Sequence, residues 1–402
     1  MKKETRRFLA SVLLIVWCFS LCVPALCEEG RETLTVGMKG SRVLEVKKKL
    51  QELRYLDRGS LTKTYNKKTA EAVRAFQKVN SLPETGELDP ATEAVLFSAD
   101  ALSLPRETLP PLPAPPPADA DWPERDESGF LAGDGEYILE DDEGGQWIYL
   151  GRNLQVIIRR GEDPSVPLVW FETEILTRNG ETFRTVMTDP DHPGKKFRYP
   201  YDISRDEGFV LGFSDDFYAT RMAERQTVGI IIRDGRVISS HTNRKTGHHL
   251  PNLDMMAQYP DGSFRVYECN ERTADELLAE GAVNVFSFGP ILLRDGEIND
   301  LVYSYYRSIE PRHALGMIEP GHYLLLSVQG RTKDSKGTTL RRVAEMMKAR
   351  GVSQALNLDG GNTMALVFCG RMLNKLATYK RRNFVRTVTS LIGLGRTEHQ
   401  EP

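Results

Sequence analysis

The chain predicts a multidomain protein in which a small all-α module of three helices precedes a larger α+β domain with a mostly antiparallel sheet. Three observations carry this expectation. Residues 33–98 place apolar side chains at helical spacing. From about residue 129 the pattern changes to short β-branched and apolar runs bounded by turn residues. Between them, eight prolines lie from Leu104 to Pro123. Such a stretch makes neither helix nor sheet ladder and prefers extended polyproline II, so residues 99–128 read as a semi-rigid spacer.

In the first module, Val43, Val46, Leu50 and Leu53 fall on one face of a helix that starts after Gly40, with Ser41 as the expected N-cap. A second helix starts near Asn66 and carries Thr69, Val73 and Phe76 on one face. Asp89 followed by Pro90 opens the third, with Gly86 in the turn before it. About 65 residues is near the lower limit for a domain that folds alone, so its apolar stripes are taken up by the core and no catalytic constellation remains.

In the second domain, the strands expected are Leu154 to Arg159, Val169 to Leu176, Gly208 to Phe213 and Val228 to Ile232. Asp234-Gly235 and Asp295-Gly296 each lie between apolar segments and predict tight hairpins, because Asp-Gly accepts the positive φ of a type I′ turn. Thr273 and Glu276 form a capping box at the start of a short helix through Leu278. Leu340, Val343 and Met347 share a face of another helix that stops at Gly351. Ala355 to Leu358 reads as a buried strand, with Ala365 to Phe368 as its partner, and the acidic run Glu136 to Gly145 as an opening loop.

Bulk properties exclude several classes. A net charge of -3 over 402 residues argues against a nucleic-acid binder. Lys2, Lys3, Arg6 and Arg7, then apolar Phe8 to Val23, then small residues through Cys27, have the zoning of a secretory signal peptide over residues 1–27. An uncleaved anchor is the alternative. The protein is therefore expected outside the membrane as a secreted protein, with no stable membrane insertion once the signal is removed. Past the signal only Cys269 and Cys369 remain, either as one disulfide or as two thiols. No nucleophile elbow, P-loop or HExxH is present, and His248-His249 lacks a third ligand at metal-binding spacing, so neither a cofactor nor a metal is expected.

The candidate chemistry lies at strand ends. Asp359 follows an apolar strand and precedes Gly360 and Gly361, whose backbone N–H groups can approach a ligand closely; an ordinary Asp-Gly turn is the alternative. Asp215 and Asp216 end another apolar strand, and neighbours on a strand point to opposite faces, so one of them faces a site. Arg312 carries a guanidinium suited to phosphate, or is a solvated surface charge.

Two resemblances sharpen this. Leu34-Thr35-Val36-Gly37 with Gly40, Tyr65-Asn66, Phe76-Gln77 and Thr85-Gly86-Glu87-Leu88-Asp89 resemble the peptidoglycan-binding family 1 domain over residues 33–98, which implies binding to peptidoglycan or another wall glycan. Five ordered stretches resemble the phosphodiester glycosidase family over about residues 150 to 395, within an expected domain of 129–396. They are Gly212 to Tyr218, Gly229 to Gly235, Val285 to Pro290, Pro311 to Gly316 and Leu356 to Thr363. That resemblance implies hydrolysis of the bond between a sugar and a phosphodiester oxygen, as in an N-acetylglucosamine-1-phosphodiester, within a surface polymer or glycan. A phosphate leaving group departs with its charge already stabilised, so the demands are to hold it, to stabilise an oxocarbenium-like centre and to position water. On that implication Arg312, Gly360 and Gly361 hold the phosphate, Asp359 or Asp216 is the carboxylate near the anomeric carbon, and Asn357 and Thr363 orient the sugar.

The chain also departs from the family pattern. Ser214-Asp215-Asp216 replaces Asn-Gly-Asp, His313 stands where a hydroxyl residue is common, Thr363 alone remains of a hydroxyl-rich run, and Arg386-Thr387 replaces a Ser-Asp pair. A non-catalytic wall- or glycan-binding protein with a degenerate glycosidase domain is the alternative.

Overall fold

The computed structural model describes residues 31–56, 61–104, 109–110, 122–163, 165–178, 181–192, 195–215, 229–241, 253–300, 302, 308–378 and 384–395. The signal-peptide segment, most of the proline-rich stretch, Asp216 and His248-His249 lie outside these residues. The described residues divide into two compact units, one up to Leu104 and one beyond it. None of their helices is long and apolar enough to cross a membrane.

The first unit holds α1 (Ser41–Glu52), α2 (Lys67–Val79) and α3 (Pro90–Leu96). Val43, Val46, Leu50, Val73 and Phe76 are buried together in one core. The start of α1 differs from expectation: Gly40, not Ser41, is the N-cap, without a side-chain bond. Asn66 caps α2 through a reciprocal box with Thr69, and Asp89 caps α3 by accepting from the Thr92 N–H. Gln77 is fully buried and holds the turn before α3. Its Oε1 accepts from the Gly86 N–H at 2.8 Å, and its Nε2 donates to the Glu87 carbonyl at 2.9 Å. Tyr65 donates to the Gly86 carbonyl at 2.8 Å. The polar residues that mark this module in the sequence are thus largely structural.

The second unit begins with β1 (Tyr137–Asp141), β2 (Gln146–Leu150), β3 (Leu154–Asp163), β4 (Leu168–Thr177), β5 (Arg184–Met187), α4 (Pro200–Asp206), β6 (Phe209–Phe213), β7 (Gly229–Arg233) and β8 (Arg236–His241). It continues with β9 (Asp254–Gln258), β10 (Phe264–Tyr267), α5 (Ala274–Ala279), β11 (Asn284–Phe288), β12 (Ile291–Arg294) and β13 (Glu297–Ile298). Last come β14 (Arg312–Glu319), β15 (His322–Val328), α6 (Leu340–Ala349), β16 (Gln354–Leu358), β17 (Leu366–Phe368), β18 (Arg371–Met372) and β19 (Ser390–Gly395). They form a nine-stranded sheet, ordered β1-β2-β3-β4-β15-β14-β16-β12-β13, and two five-stranded sheets, β10-β9-β11-β7-β8 and β18-β17-β6-β19-β5. The pairings are antiparallel, so the fold class is as expected.

Both Asp-Gly hairpins form. Asp234 and Gly235 have φ of 49° and 72°, and Asp295 and Gly296 have 52° and 77°, the positive pair that a two-residue type I′ turn requires. The run from Glu136 to Gly145, expected as a loop, contains β1 and its turn into β2: Tyr137, with Ile138 and Leu139, has enough β-branched and apolar character to pair with β2. Alternation along the strands divides the packing. On β14 and β16, Leu315, Leu356 and Leu358 enter a core shared by all three sheets, whereas Ala314 and Ala355 turn to the other face, against α6. Leu340, Val343 and Met347 of α6 are fully buried there, and each such side chain contributes roughly 1.5–3 kcal/mol.

One pairing is corrected. Ala365 to Phe368 is not the partner of Ala355 to Leu358. β16 lies between β14 and β12 in the nine-stranded sheet, while β17 lies beside β6 in a five-stranded one. Seven residues, Asp359 to Ala365, carry the chain from one sheet to the other instead of folding it back, because both edges of β16 are already paired.

Candidate functional site

The crossing segment after β16 is the centre of the candidate site. At its start, the Asp359 N–H donates to the Asp215 carbonyl at 3.1 Å, just beyond the end of β6. At its far end, the Ser214 N–H donates to the Ala365 carbonyl and the Ala365 N–H to Ser214 Oγ, both at 3.1 Å. Between these clamps the glycines have separate reasons. A Cβ on Gly360 would lie 2.4 Å from the Pro311 carbonyl oxygen, so only glycine permits that approach. Gly361 has φ +58°, and its N–H donates to the same Pro311 oxygen at 3.1 Å. The Thr363 N–H closes the turn on the Gly360 carbonyl at 3.0 Å. The geometry is that of a rigid non-hairpin turn whose Gly361 N–H is already engaged.

Two guanidinium groups flank this turn. Arg331 donates to Asn362 Oδ1 at 2.7 Å and to Glu310 Oε2 at 2.8 Å. It follows Gly330 at the end of β15 and has φ +55°, a left-handed conformation uncommon outside glycine and asparagine. Arg386 donates to Thr363 Oγ1 at 3.1 Å. Asn362 also donates from Nδ2 to the Ala377 carbonyl at 2.6 Å. Arg331 and Asn362 were not singled out in the sequence. The available signal was Gly330-Arg331 at a strand end, the same pattern of a flexible residue beside a polar one that drew attention to Asp359-Gly360.

The remaining candidates lie around this centre. Asp215 is buried; it accepts from Ser390 Oγ and, at 3.4 Å, from Arg233 Nη2. Arg233 is itself buried, donates to the Val285 carbonyl at 2.6 Å and lies 5.1 Å over the Phe286 ring. The pair is enclosed and holds β6, β7 and β11 together from inside. Asp216, the other acid of that pair, is outside the described residues. The Arg312 backbone passes beside Gly360, but its guanidinium donates to the Ser308 carbonyl at 2.7 Å and the Thr338 carbonyl at 3.2 Å. Asn357 is buried; its Nδ2 donates to the Gly289 carbonyl at 2.9 Å, and its Oδ1 has no hydrogen-bond partner among the described residues. The structure thus brings Asp359, Gly360, Gly361 and Thr363 together with Arg331, Asn362 and Arg386, with the Arg312 guanidinium bonded to Ser308 and Thr338 beside them.

His313 lies within the supporting layer, fully buried. Its Nδ1 is 2.9 Å from Ser327 Oγ, and its ring meets Phe213 edge-on at 5.7 Å. Burial pushes its pKa down to about 3, so the ring is neutral at physiological pH. Cys269 and Cys369 are both half-buried thiols. No group of three histidine, cysteine or acidic residues able to hold a metal occurs among the described residues.

A three-helix unit thus precedes a three-sheet antiparallel unit that carries a clamped Asp-Gly-Gly turn between two of its sheets. Residues 207–394 match the phosphodiester glycosidase family, and residues 39–96, N-terminal to them, match the peptidoglycan binding domain family. Among curated proteins, the chain is 29% identical over 248 residues to the SPbeta prophage-derived uncharacterized protein YomE of Bacillus subtilis, covering 57% of this chain and 37% of that one. It is 24% identical over 229 residues to the N-acetylglucosamine-1-phosphodiester alpha-N-acetylglucosaminidase of Bos taurus, covering 52% and 42%. The matched regions thus span about two fifths of each of these relatives. Among solved structures, the zebrafish N-acetylglucosamine-1-phosphodiester alpha-N-acetylglucosaminidase catalytic domain, auto-inhibited by its pro-peptide, has a TM-score of 0.47 at 19% identity, covering 60% of this chain and 83% of that one. A hypothetical protein from Synechocystis has a TM-score of 0.42 at 14% identity, covering 60% and 62%.

Proposed function

We propose that this protein is exported, associates with the cell wall, and hydrolyses the sugar–phosphate bond of a glycosyl phosphodiester in a surface polymer or glycan. The observation that carries this reading is the Asp359–Thr363 turn with Arg331 and Arg386 on its flanks, inside a domain that matches phosphodiester glycosidases. Arg331, paired with Glu310 and bonded to Asn362, and Arg386, bonded to Thr363, are guanidinium groups at the turn, a side chain suited to phosphate. Asp359 supplies the carboxylate near the anomeric carbon, and Asp216 is proposed as a second. Thr363 and Asn357 orient the sugar. The phosphate falls to Arg331 and Arg386, because the Gly361 N–H is engaged with Pro311; Arg312 holds Ser308 and Thr338 beside the turn. The name of the bovine relative supplies the substrate to try first, an N-acetylglucosamine-1-phosphodiester. The peptidoglycan binding domain supports delivery to a wall glycan.

The test is release of N-acetylglucosamine from such a phosphodiester by the full chain, with Asp359→Ala and Arg331→Ala beside it. Turnover by the wild type that both variants lose is the expected result. If purified walls bind the protein but neither wild type nor variants release sugar, the non-catalytic glycan-binding reading replaces this one.

A further inference from the structure

Arg331 does not stand at the turn alone. Its guanidinium donates from Nε at 2.8 Å and from Nη2 at 2.6 Å to one and the same oxygen, Glu310 Oε2, and from Nη1 to Asn362 Oδ1 at 2.7 Å. A guanidinium carries five N–H groups, so three are engaged and one is left on each Nη. Both Nη atoms lie beside the turn: a Cβ built on Gly361 would stand 3.8 Å from Nη1 and 4.0 Å from Nη2.

Glu310 is placed as firmly as its partner. Its N–H donates to the Thr338 carbonyl at 3.1 Å, and its own carbonyl accepts from the Thr338 N–H at 2.9 Å. A Cβ on Gly337 would lie 2.4 Å from the Glu310 carbonyl oxygen, so the two backbones meet where only glycine fits. The Arg331 N–H donates to the Lys336 carbonyl at 3.3 Å, and the Arg331 carbonyl accepts from the Thr378 N–H at 3.1 Å. Acid and guanidinium are thus brought together by separately anchored backbones. Each side chain is about a third open to solvent, and a pair that open adds little to folding stability. What it sets is the charge that a ligand meets at the turn.

That charge bears on the proposed reaction in one particular way. Hydrolysis breaks the bond from the anomeric carbon to the phosphodiester oxygen, and the electron pair stays on that oxygen. Water gives its hydroxyl to the carbon and its proton to the phosphate, which leaves as a monoester. A diester carries one negative charge. A monoester has a second pKa of about 6, so at about pH 7.5 it carries close to two. The two remaining Arg331 N–H groups can take two phosphate oxygens. A phosphate held there lies on the order of 6 Å from the Glu310 carboxylate, across the guanidinium, where like charges oppose each other. The opposition doubles when the ligand's charge doubles.

We propose that Glu310 is a specificity-determining residue that acts as a charge filter: it lets Arg331 accept a phosphodiester, disfavours a phosphomonoester, and so expels the product of hydrolysis. Product expulsion rests on the hydrolysis proposed above; the discrimination between the two ligands does not.

The experiment uses the full chain and two matched probes, N-acetylglucosamine 1-phosphate and its methyl phosphodiester, at about pH 7.5 and low salt. Dissociation constants come from calorimetry where the diester is not turned over. Where it is, they come from KM and from competitive inhibition by the monoester. The wild type is expected to bind the diester more tightly. Glu310→Gln keeps the shape and one acceptor oxygen but removes the charge. It should lower the ratio of monoester to diester dissociation constants at least about fivefold, because the monoester gains roughly the square of what the diester gains. Glu310→Ala should lower the ratio as well, even if a loosened Arg331 weakens both ligands. Thermal melts are recorded beside the titrations. A ratio within twofold of the wild type in both folded variants overturns the proposal, since a purely structural role for Glu310 changes both ligands alike. Tighter binding of the monoester by the wild type also overturns it, as does binding of neither probe. A shifted ratio without any turnover removes the hydrolysis and leaves the filter in place.

Discussion

The Asp359 N–H donates to the Asp215 carbonyl at 3.1 Å, and this bond joins the ends of two strands that belong to different sheets. Asp215 in turn is held by Ser390 and Arg233, from two further strands. The candidate carboxylate is therefore carried by backbone that hangs on the main chain of Asp215, a residue whose own carboxylate is buried.

Breaking that support should unfold before it merely slows. Arg233→Met leaves Asp215 buried without its cation, and removal of one partner from a buried pair costs about 3–5 kcal/mol. Urea unfolding of Arg233→Met against the wild type is the measurement. A change below about 1 kcal/mol would show that the pair is not carrying the junction.

The two glycines of the turn should fail differently. Gly360→Ala forces a Cβ to 2.4 Å from the Pro311 oxygen, so the turn must move off β14. Gly361→Ala meets no close atom but holds alanine at φ +58°. The second should cost about 1 kcal/mol and the first more, roughly 1–3 kcal/mol. Equal melting temperatures for the two variants would contradict the close approach at Gly360.

Arg331 is expected to matter for phosphate and not for fold. Arg331→Ala should lower kcat/KM on a sugar phosphodiester about 10²-fold or more, and Arg331→Lys should recover only part of it, because a lysine cannot present two parallel donors. Full activity in Arg331→Ala would move the phosphate to another group.

Acid should weaken the fold through His313. Its pKa is lowered from 6.5 to about 3 by burial, so the unfolded chain takes up a proton that the folded chain refuses. Stability is unaffected above pH 6.5 and falls as the pH drops from there toward 3, by at most about 1.4 kcal/mol per pH unit. His313→Gln should flatten that part of the profile. An unchanged slope between pH 6 and 4 would assign the loss to other groups, on the scale of about one proton per unit.

Local signals in the sequence carried well. Asn66, Asp89 and Thr273 cap the helices where their spacing placed them, and both Asp-Gly hairpins form with the positive φ values that motivated them. What escaped was the partner of each strand. Ala365 to Phe368 reads as a return strand because six residues separate it from Leu358; that both edges of β16 are occupied by β12 and β14 is a long-range fact. The same limit applies to the site. Asp359 and its glycines announce themselves by local pattern, whereas Arg331 and Arg386 reach the turn from 31 and 23 residues away, through Asn362 and Thr363. Arg312 is conspicuous in the sequence, but its bonds to Ser308 and Thr338 are again a matter of tertiary structure.

The crossing of the chain between sheets at residues 359–365 has a consequence for when the site exists. Neither sheet alone contains it: the nine-stranded sheet supplies Leu358, Pro311 and the Arg331 loop, and the other supplies Ser214, Asp215 and the segment leading to Ser390. A folding chain builds the site only when β19, its last described strand, has joined β6. Ligand contacts at this turn therefore report completion of the domain, and a truncation that removes β19 should silence the turn even with every one of its own residues intact.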